Sequence, residues 1–222
     1  MTARSCGFKS HPEHQSFMNL LIATGNRHKF TEISDILAIP QLTFINLREI
    51  AGAPQVVEDG ETFEANAIKK AVTLARFSGM WTLADDSGLE VDALHGAPGV
   101  YSARYACEPT DDAANNLKVV AAMAGVQNRT ARFRCAIALS DPCGEARTVS
   151  GACEGLLLSS PRGVGGFGYD PLFLPDGYDQ TFAEIPAEIK NRISHRSCAL
   201  KVAMASWHEC LVRELPSWPV KP

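Results

Sequence analysis

The sequence predicts an α/β fold built on a mixed β-sheet. Three observations carry that reading. Short apolar runs of strand length alternate with segments of helical periodicity in the first half. Two longer apolar stretches later flank the turn signal "DPCGE" and read as a hairpin, and a final segment repeats its apolar residues at helical spacing. Alternation favours parallel pairing and a hairpin is antiparallel, so the sheet should be mixed. A chain of 222 residues can bury one sizeable core, or two lobes sharing a core.

The elements follow in order. Asn19–Thr24 is an apolar run suited to a buried strand. Residues 28–38 place Phe30, Ile33, Ile36 and Leu37 on one helical face, and Pro40 ends that helix. Leu42–Leu47 reads as a second strand, and the polar stretch "REIAGAPQVVEDGE" as a loop. Thr62–Ser78 suits a long helix stopped by Gly79. Trp81–Ala84 forms a strand that runs into "DDSGLEVDALHGAPGVYSARYA", a segment too rich in Gly, Asp and Ser for plain packing. A helix spans 111–124, opened by Asp111 or Thr110. The hairpin strands are Arg132–Ser140 and Ala146–Leu158, and "PRGVGGFGYDP" is a Gly-rich loop. In 194–214, Leu200, Ala203, Met204, Trp207 and Leu211 line one face of a closing amphipathic helix.

Composition narrows the function. Hydrophobic residues make up 45% and charged residues 21%, as in ordinary globular proteins, and the formal net charge is −4. That balance offers no global attraction for nucleic acid or an anionic membrane, so any anion site must cluster its cations. No apolar run approaches the roughly 18 residues that span a bilayer. The seven cysteines (Cys6, Cys107, Cys135, Cys143, Cys153, Cys198, Cys210) form no CxxC pair, and read as reduced, mostly buried thiols of a cytoplasmic protein. Residues 1–18 are polar, contain Pro12 and read as a flexible extension. Residues 19–215 form a single domain and 216–222 a tail.

Five stretches could carry chemistry. In "NLLIATGNRHKFTEI" a strand meets a helix at Thr24, Gly25 and Asn26, followed by Arg27, His28 and Lys29. A helix N-terminus has unpaired N–H groups and partial positive charge, so a phosphate would fit there. An ordinary turn capped by Asn26 explains the same residues. Asp85 and Asp86 fall at the end of an apolar strand, where their side chains should point to opposite faces: one toward a site, the other bracing the loop. Asp86, beside Ser87 and Gly88, is the better candidate, though an Asp-stabilised turn accounts for the pattern too. Glu58 could join Asp86 around Mg²⁺, which takes one or two carboxylates plus phosphate oxygens. Asn66 and Lys70 share a helical face, and Lys70 could point at phosphate or at solvent. In "GGFGYDP", Phe167 and Tyr169 could stack on a flat ring, with Gly168 giving backbone freedom and Asp170 fixing the geometry. Ser194 is a good N-cap, which leaves His195 and Arg196 in the first turn of a helix. A basic pair there works against the helix dipole unless an anionic or carbonyl-bearing ligand relieves it. Taken together, the five describe a nucleoside triphosphate: cations for phosphates, carboxylates for a metal, aromatics for a base, and Arg/His donors for its edge.

The stretches "ATGNRHK" (23–29), "TFEANAIKKA" (62–71), "LADDSGLEVDALHGAPGVYSARYA" (83–106), "GGFGYDPLF" (165–173) and "ISHRSCALK" (193–201) resemble, in order, the inosine triphosphate pyrophosphatase family, the XTP/dITP diphosphatases. The resemblance covers essentially all of 19–205. It implies an elongated α/β fold of two lobes around a central cleft, usually a homodimer. It also implies Mg²⁺-dependent hydrolysis of non-canonical purine triphosphates (ITP, dITP, XTP) to monophosphate and pyrophosphate, which cleanses the nucleotide pool. On that resemblance, Thr24, Gly25, Asn26, Arg27, His28 and Lys29 cradle the triphosphate with Lys70. Asp86 is general base and metal ligand, Glu58 supports the metal, and Ser87 contacts substrate. Phe167, Gly168, Tyr169 and Asp170 hold base and sugar, and Lys190, His195 and Arg196 complete the purine site. One departure is Glu64-Ala65-Asn66-Ala67, where the family usually carries a second acid. The rival reading is a Maf-like pyrophosphatase acting on pyrimidine or otherwise modified nucleotides.

Overall fold

The computed structural model describes residues 18–212 and Trp218. Met18, the last residue of the expected extension, instead opens the first strand, and Trp218 of the expected tail packs in the core; the rest of the extension and of the tail lies outside the described residues. Strand β1 (Met18–Ile22) leads into helix α1 (Arg27–Leu37) and strand β2 (Leu42–Asn46). Helix α2 (Phe63–Ser78) precedes the long strand β3 (Trp81–Val91), and α3 (Asp112–Ala122) precedes the hairpin β4 (Thr130–Ser140) and β5 (Ala146–Leu157). A short strand β6 (Phe173–Pro175) and helices α4 (Ala187–Ile193) and α5 (His195–Val212) close the described chain.

Local chemistry sets the helix ends. The Asn26 side chain accepts from the backbone of His28 and Lys29 to open α1, and Thr62 accepts from Ala65 to open α2. Gly79 closes α2 in the left-handed conformation that glycine adopts without strain. Helix α1 stops at Leu37, where Ala38 turns left-handed two residues ahead of Pro40. Ser194 caps α5 as its sequence suggests, accepting from the Ser197 backbone. The sequence reading missed β6, α4 and several single-turn 3₁₀ helices, all too short to show periodicity.

The six strands form one sheet in the order β2-β1-β3-β4-β5-β6. Strand β1 pairs in parallel with both β2 and β3, and every later pairing is antiparallel. The mixed sheet is thus as expected. One expectation is corrected: Asp85 and Asp86 do not end a strand. They sit in the middle of the eleven-residue β3, facing Ile137 and Ala136 of β4.

That position organises the molecule. The odd-numbered side chains of β3 and β4 share one face of the sheet. Trp81, Leu83, Ile137 and Leu139 pack there with α1 and α5 in one apolar core. Leu89, Val91, Ala131 and Phe133 pack in a second core with α3, β6 and the 169–185 segment. Between the two cores the same face of β3 carries Asp85 and Ser87. On the opposite face, Ala84, Ala136 and Ala138 lie under Ala67, Ala71 and Leu74 of α2. Two apolar lobes are therefore joined by long strands whose middle is polar, and a cleft opens at that seam.

Gly88 lies at the seam with no room for a side chain. A Cβ there would meet Ser102 Oγ at 2.3 Å and the Gly99 carbonyl oxygen at 2.5 Å. Gly88→Ala should therefore destabilise the fold by about 1–3 kcal/mol, as overpacking does, read as a lowered midpoint in urea unfolding.

Candidate active site

The start of α1, the middle of β3 and the start of α5 converge at the seam. Asp85 is fully buried and receives two cations: Lys29 Nζ at 3.2 Å and Arg196 Nη2 at 2.9 Å. Ser87 Oγ donates to it at 3.1 Å. Burial works to raise this carboxyl, but Lys29 and Arg196 overcome burial and hold it well below the usual carboxylate range. Arg196 also pairs with Glu32, and Glu32 pairs with Lys190 at 2.8 Å, which in turn contacts Asp170. A continuous alternating chain results: Lys29, Asp85, Arg196, Glu32, Lys190, Asp170.

Asp86 points the other way, toward α2. Its Oδ2 accepts from Asn66 Nδ2 at 3.0 Å, and Lys70 Nζ stands 3.7 Å from Oδ1. Lys70 donates to Glu58 at 2.9 Å and to the Asp85 carbonyl at 2.7 Å. Burial pushes the Asp86 carboxyl up to about 6; Lys70 and Lys29 oppose the rise and Glu58 adds to it. Glu58 itself is held below its ordinary value, since Lys70 and Lys29 outweigh its burial. The two carboxylates expected to hold a metal are thus neighbours across one lysine.

A cavity of about 110 Å³ opens on the side of β3 that carries Ser87, between Lys29 and Arg196. Asn26, Lys29, Ser87, Phe167, Gly168, Tyr169, Asp170, Lys190, His195 and Arg196 all line it, so the structure brings most of the expected site residues to one place. Phe167 contributes a ring face, with Lys190 Nζ 4.9 Å from its centroid. His195 is buried and stacked on Phe133 at 4.7 Å. Burial, with Arg196 and Lys190 nearby, lowers the His195 pKa well below the usual imidazole value, so the ring is neutral, and its Nδ1 has no hydrogen-bond partner among the described residues.

Four expectations change. Tyr169 is not a free stacking ring, because it is buried in the second core and its hydroxyl donates to the Ser102 carbonyl at 2.8 Å. His28 stacks on Phe167 at 5.3 Å and lines a neighbouring cavity with Arg27, away from Lys29. The charge conflict at the start of α5 is relieved inside the chain, by Asp85 and Glu32 on Arg196 and by the neutrality of His195. The described thiols are free but not mostly buried: Cys135 and Cys210 are buried, Cys153 and Cys198 half-buried, and Cys107 and Cys143 exposed, while Cys6 lies outside the described residues. Glu32 went unnoticed in the sequence, although its position one turn beyond Lys29 on α1 was available as a signal. Nothing in the local sequence marks Ser102 or Phe133 as neighbours of the site.

Fold and site together define an α/β protein whose cavity is lined by the lysine of a helix mouth, an aromatic ring and a buried His–Arg pair. Residues 20–206 match the Ham1 family, and the chain belongs to it. It is 54% identical over 189 residues to a dITP/XTP pyrophosphatase of Desulforamulus reducens, covering 84% of this chain and 94% of that one. The dITP/XTP pyrophosphatase of Bacillus subtilis is 48% identical over 183 residues, 82% of this chain and 92% of the relative. Among solved structures, a HAM1 protein from Coxiella burnetii superposes with a TM-score of 0.79 at 38% identity, covering 87% of this chain and 100% of that chain. The Staphylococcus aureus Ham1 protein gives 0.77 at 38% identity, with 86% and 98% covered.

The two adjacent aspartates should respond oppositely to loss of charge. Asp85→Asn leaves Lys29 and Arg196 without their shared anion, and a loss of about 3–5 kcal/mol is expected. Asp86 has a raised carboxyl, so the folded chain holds an extra proton between roughly pH 4 and 6 and loses stability as pH rises through about 6. Asp86→Asn should therefore raise Tm at pH 8, and the gain should shrink toward pH 4.5. Thermal melts of both variants across that range check the contrast.

Proposed function

We propose that this chain hydrolyses non-canonical purine nucleoside triphosphates, ITP, dITP and XTP, to the monophosphate and pyrophosphate. It thereby keeps them out of DNA and RNA. The observation that carries the reading is that Lys29, Phe167, His195 and Arg196 line one cavity, and that Lys29 also acts on the raised carboxyl of Asp86. The identity to dITP/XTP pyrophosphatases over most of both chains supports the same reaction.

In this reading the mouth of α1 receives the triphosphate. Asn26 caps the helix by accepting the His28 and Lys29 N–H groups, the Lys29 ammonium faces the anion, and Thr24 fixes Asn26 by accepting its N–H at 3.1 Å. Gly25 allows close approach; Arg27 and Lys70 add positive potential, and Ser87 contacts a phosphate oxygen. Glu58 and Asp86 supply the hard oxygen ligands that Mg²⁺ prefers, and two carboxylates completed by water and phosphate oxygens suffice for it. The ion, when bound, neutralises charge on the bridging phosphates. Ionised Asp86 takes the proton from water as that water attacks the α-phosphorus, and pyrophosphate leaves.

At the other end Phe167 stacks on the purine, with His28 backing the ring and Gly168, Tyr169 and Asp170 shaping the wall. Lys190, His195 and Arg196 present donors to the 6-oxo group. Adenine's 6-amino group leaves such buried donors unpaired, a mismatch that can discriminate by up to about 10⁴-fold. The protein works in the cytoplasm as a homodimer on this reading. The free thiols support the compartment and the family resemblance supports the dimer, while no described helix is long and apolar enough to cross a membrane.

Incubation with ITP, XTP, dITP, ATP and dTTP plus Mg²⁺ should release pyrophosphate from the first three much faster than from the last two. Faster cleavage of dTTP would favour a pyrimidine-directed enzyme instead. For ITP, kcat/KM should rise with pH along a limb near 6 as Asp86 ionises. That limb should vanish with the activity in Asp86→Asn.

A further inference from the structure

The loop that carries Phe167 is fixed by a helix outside the site described so far. Gly168 adopts φ +60°, the left-handed region open to glycine, so the peptide after Phe167 is turned sharply. Both polar groups of Gly168 are then taken by α3. Its N–H donates to Asp112 Oδ2 at 2.7 Å, and its carbonyl accepts from Asn116 Nδ2 at 3.0 Å. Asp112 and Asn116 are four residues apart and so present one face of the helix to the two peptide groups that flank the Gly168 Cα. The Phe167 N–H is held separately by Asp170 Oδ2 at 2.9 Å. Thr110 and Asp112 also line the cavity, so the start of α3 forms part of its wall.

We propose that Asp112 and Asn116 are positioning residues that clamp the Gly168 peptide, fix the Phe167 ring against the purine, and set affinity for the base end of the ligand only. The proposal rests on the reading that Phe167 faces a purine. Neither side chain approaches Asp86, Glu58 or Lys70 among the contacts described, so the phosphate end should not sense their loss. A clamp of two hydrogen bonds acts through position. Retaining the acceptor at Asp112 without its charge should therefore preserve it.

The test measures binding by calorimetry, with IMP as the probe of the base end and pyrophosphate as the probe of the phosphate end. Asn116→Ala and Asp112→Ala should each weaken IMP about tenfold, the effect of one ordinary hydrogen bond, and leave pyrophosphate unchanged. Asp112→Asn should bind IMP like the unaltered protein. Turnover of ITP should show a KM raised by a similar factor with kcat within about twofold. Equal weakening of both probes, or Asp112→Asn as impaired as Asp112→Ala, would overturn the clamp, as would an IMP affinity indifferent to all three changes. Because calorimetry needs no turnover, a protein that binds IMP yet releases no pyrophosphate from ITP would sink the functional reading while the clamp is still judged. Asp112 is on the exposed first turn of α3, so its variants should fold even if Asn116→Ala does not.

Discussion

A carboxylate buried in the middle of a β-strand is the constraint on which this architecture turns. Asp85 is shut away from water between two apolar cores, and an unpaired ion there would cost several kcal/mol. Lys29 and Arg196 neutralise it, one from the first turn of α1 and the other from the first turn of α5. Arg196 then needs a second anion, supplied by Glu32, and Glu32 engages Lys190 and through it Asp170. Each member is needed because its neighbour is buried, so the chain locks three helices, a strand and the Gly-rich loop into one arrangement.

The same constraint separates the two halves of the site. Side chains alternate along β3, so Asp85 and Asp86 cannot face the same way. Asp85 becomes the fully ionised anchor of the cations, and Asp86 is left beside Glu58 and Lys70 with a carboxyl raised to about 6. Two adjacent residues of one type thus acquire different chemistry from the faces they occupy. The cationic Lys29 acts on both.

Stability and function pull apart here. An ionised Asp86 is unfavourable for the fold near neutral pH, yet only the ionised form can accept a proton or bind a metal. The crowded approach of Gly88 to Ser102, and the Tyr169 hydroxyl tied to the Ser102 carbonyl, hold the cleft wall against that tension.

Much of this could be read from the residues alone. The helix caps at Asn26 and Ser194, the hairpin around "DPCGE" and the opposite orientation of Asp85 and Asp86 follow from local hydrogen bonding and backbone periodicity, which act over a few residues. The ordered motifs were enough to indicate a nucleotide site and its family. Tertiary packing decided the rest. Whether Arg196 met a ligand or a carboxylate, whether Tyr169 stacked freely or was buried, and whether α3 touched the aromatic loop all depend on segments 50 to 160 residues apart. Such contacts leave no local pattern, because burial and charge compensation are settled only when the distant partners arrive.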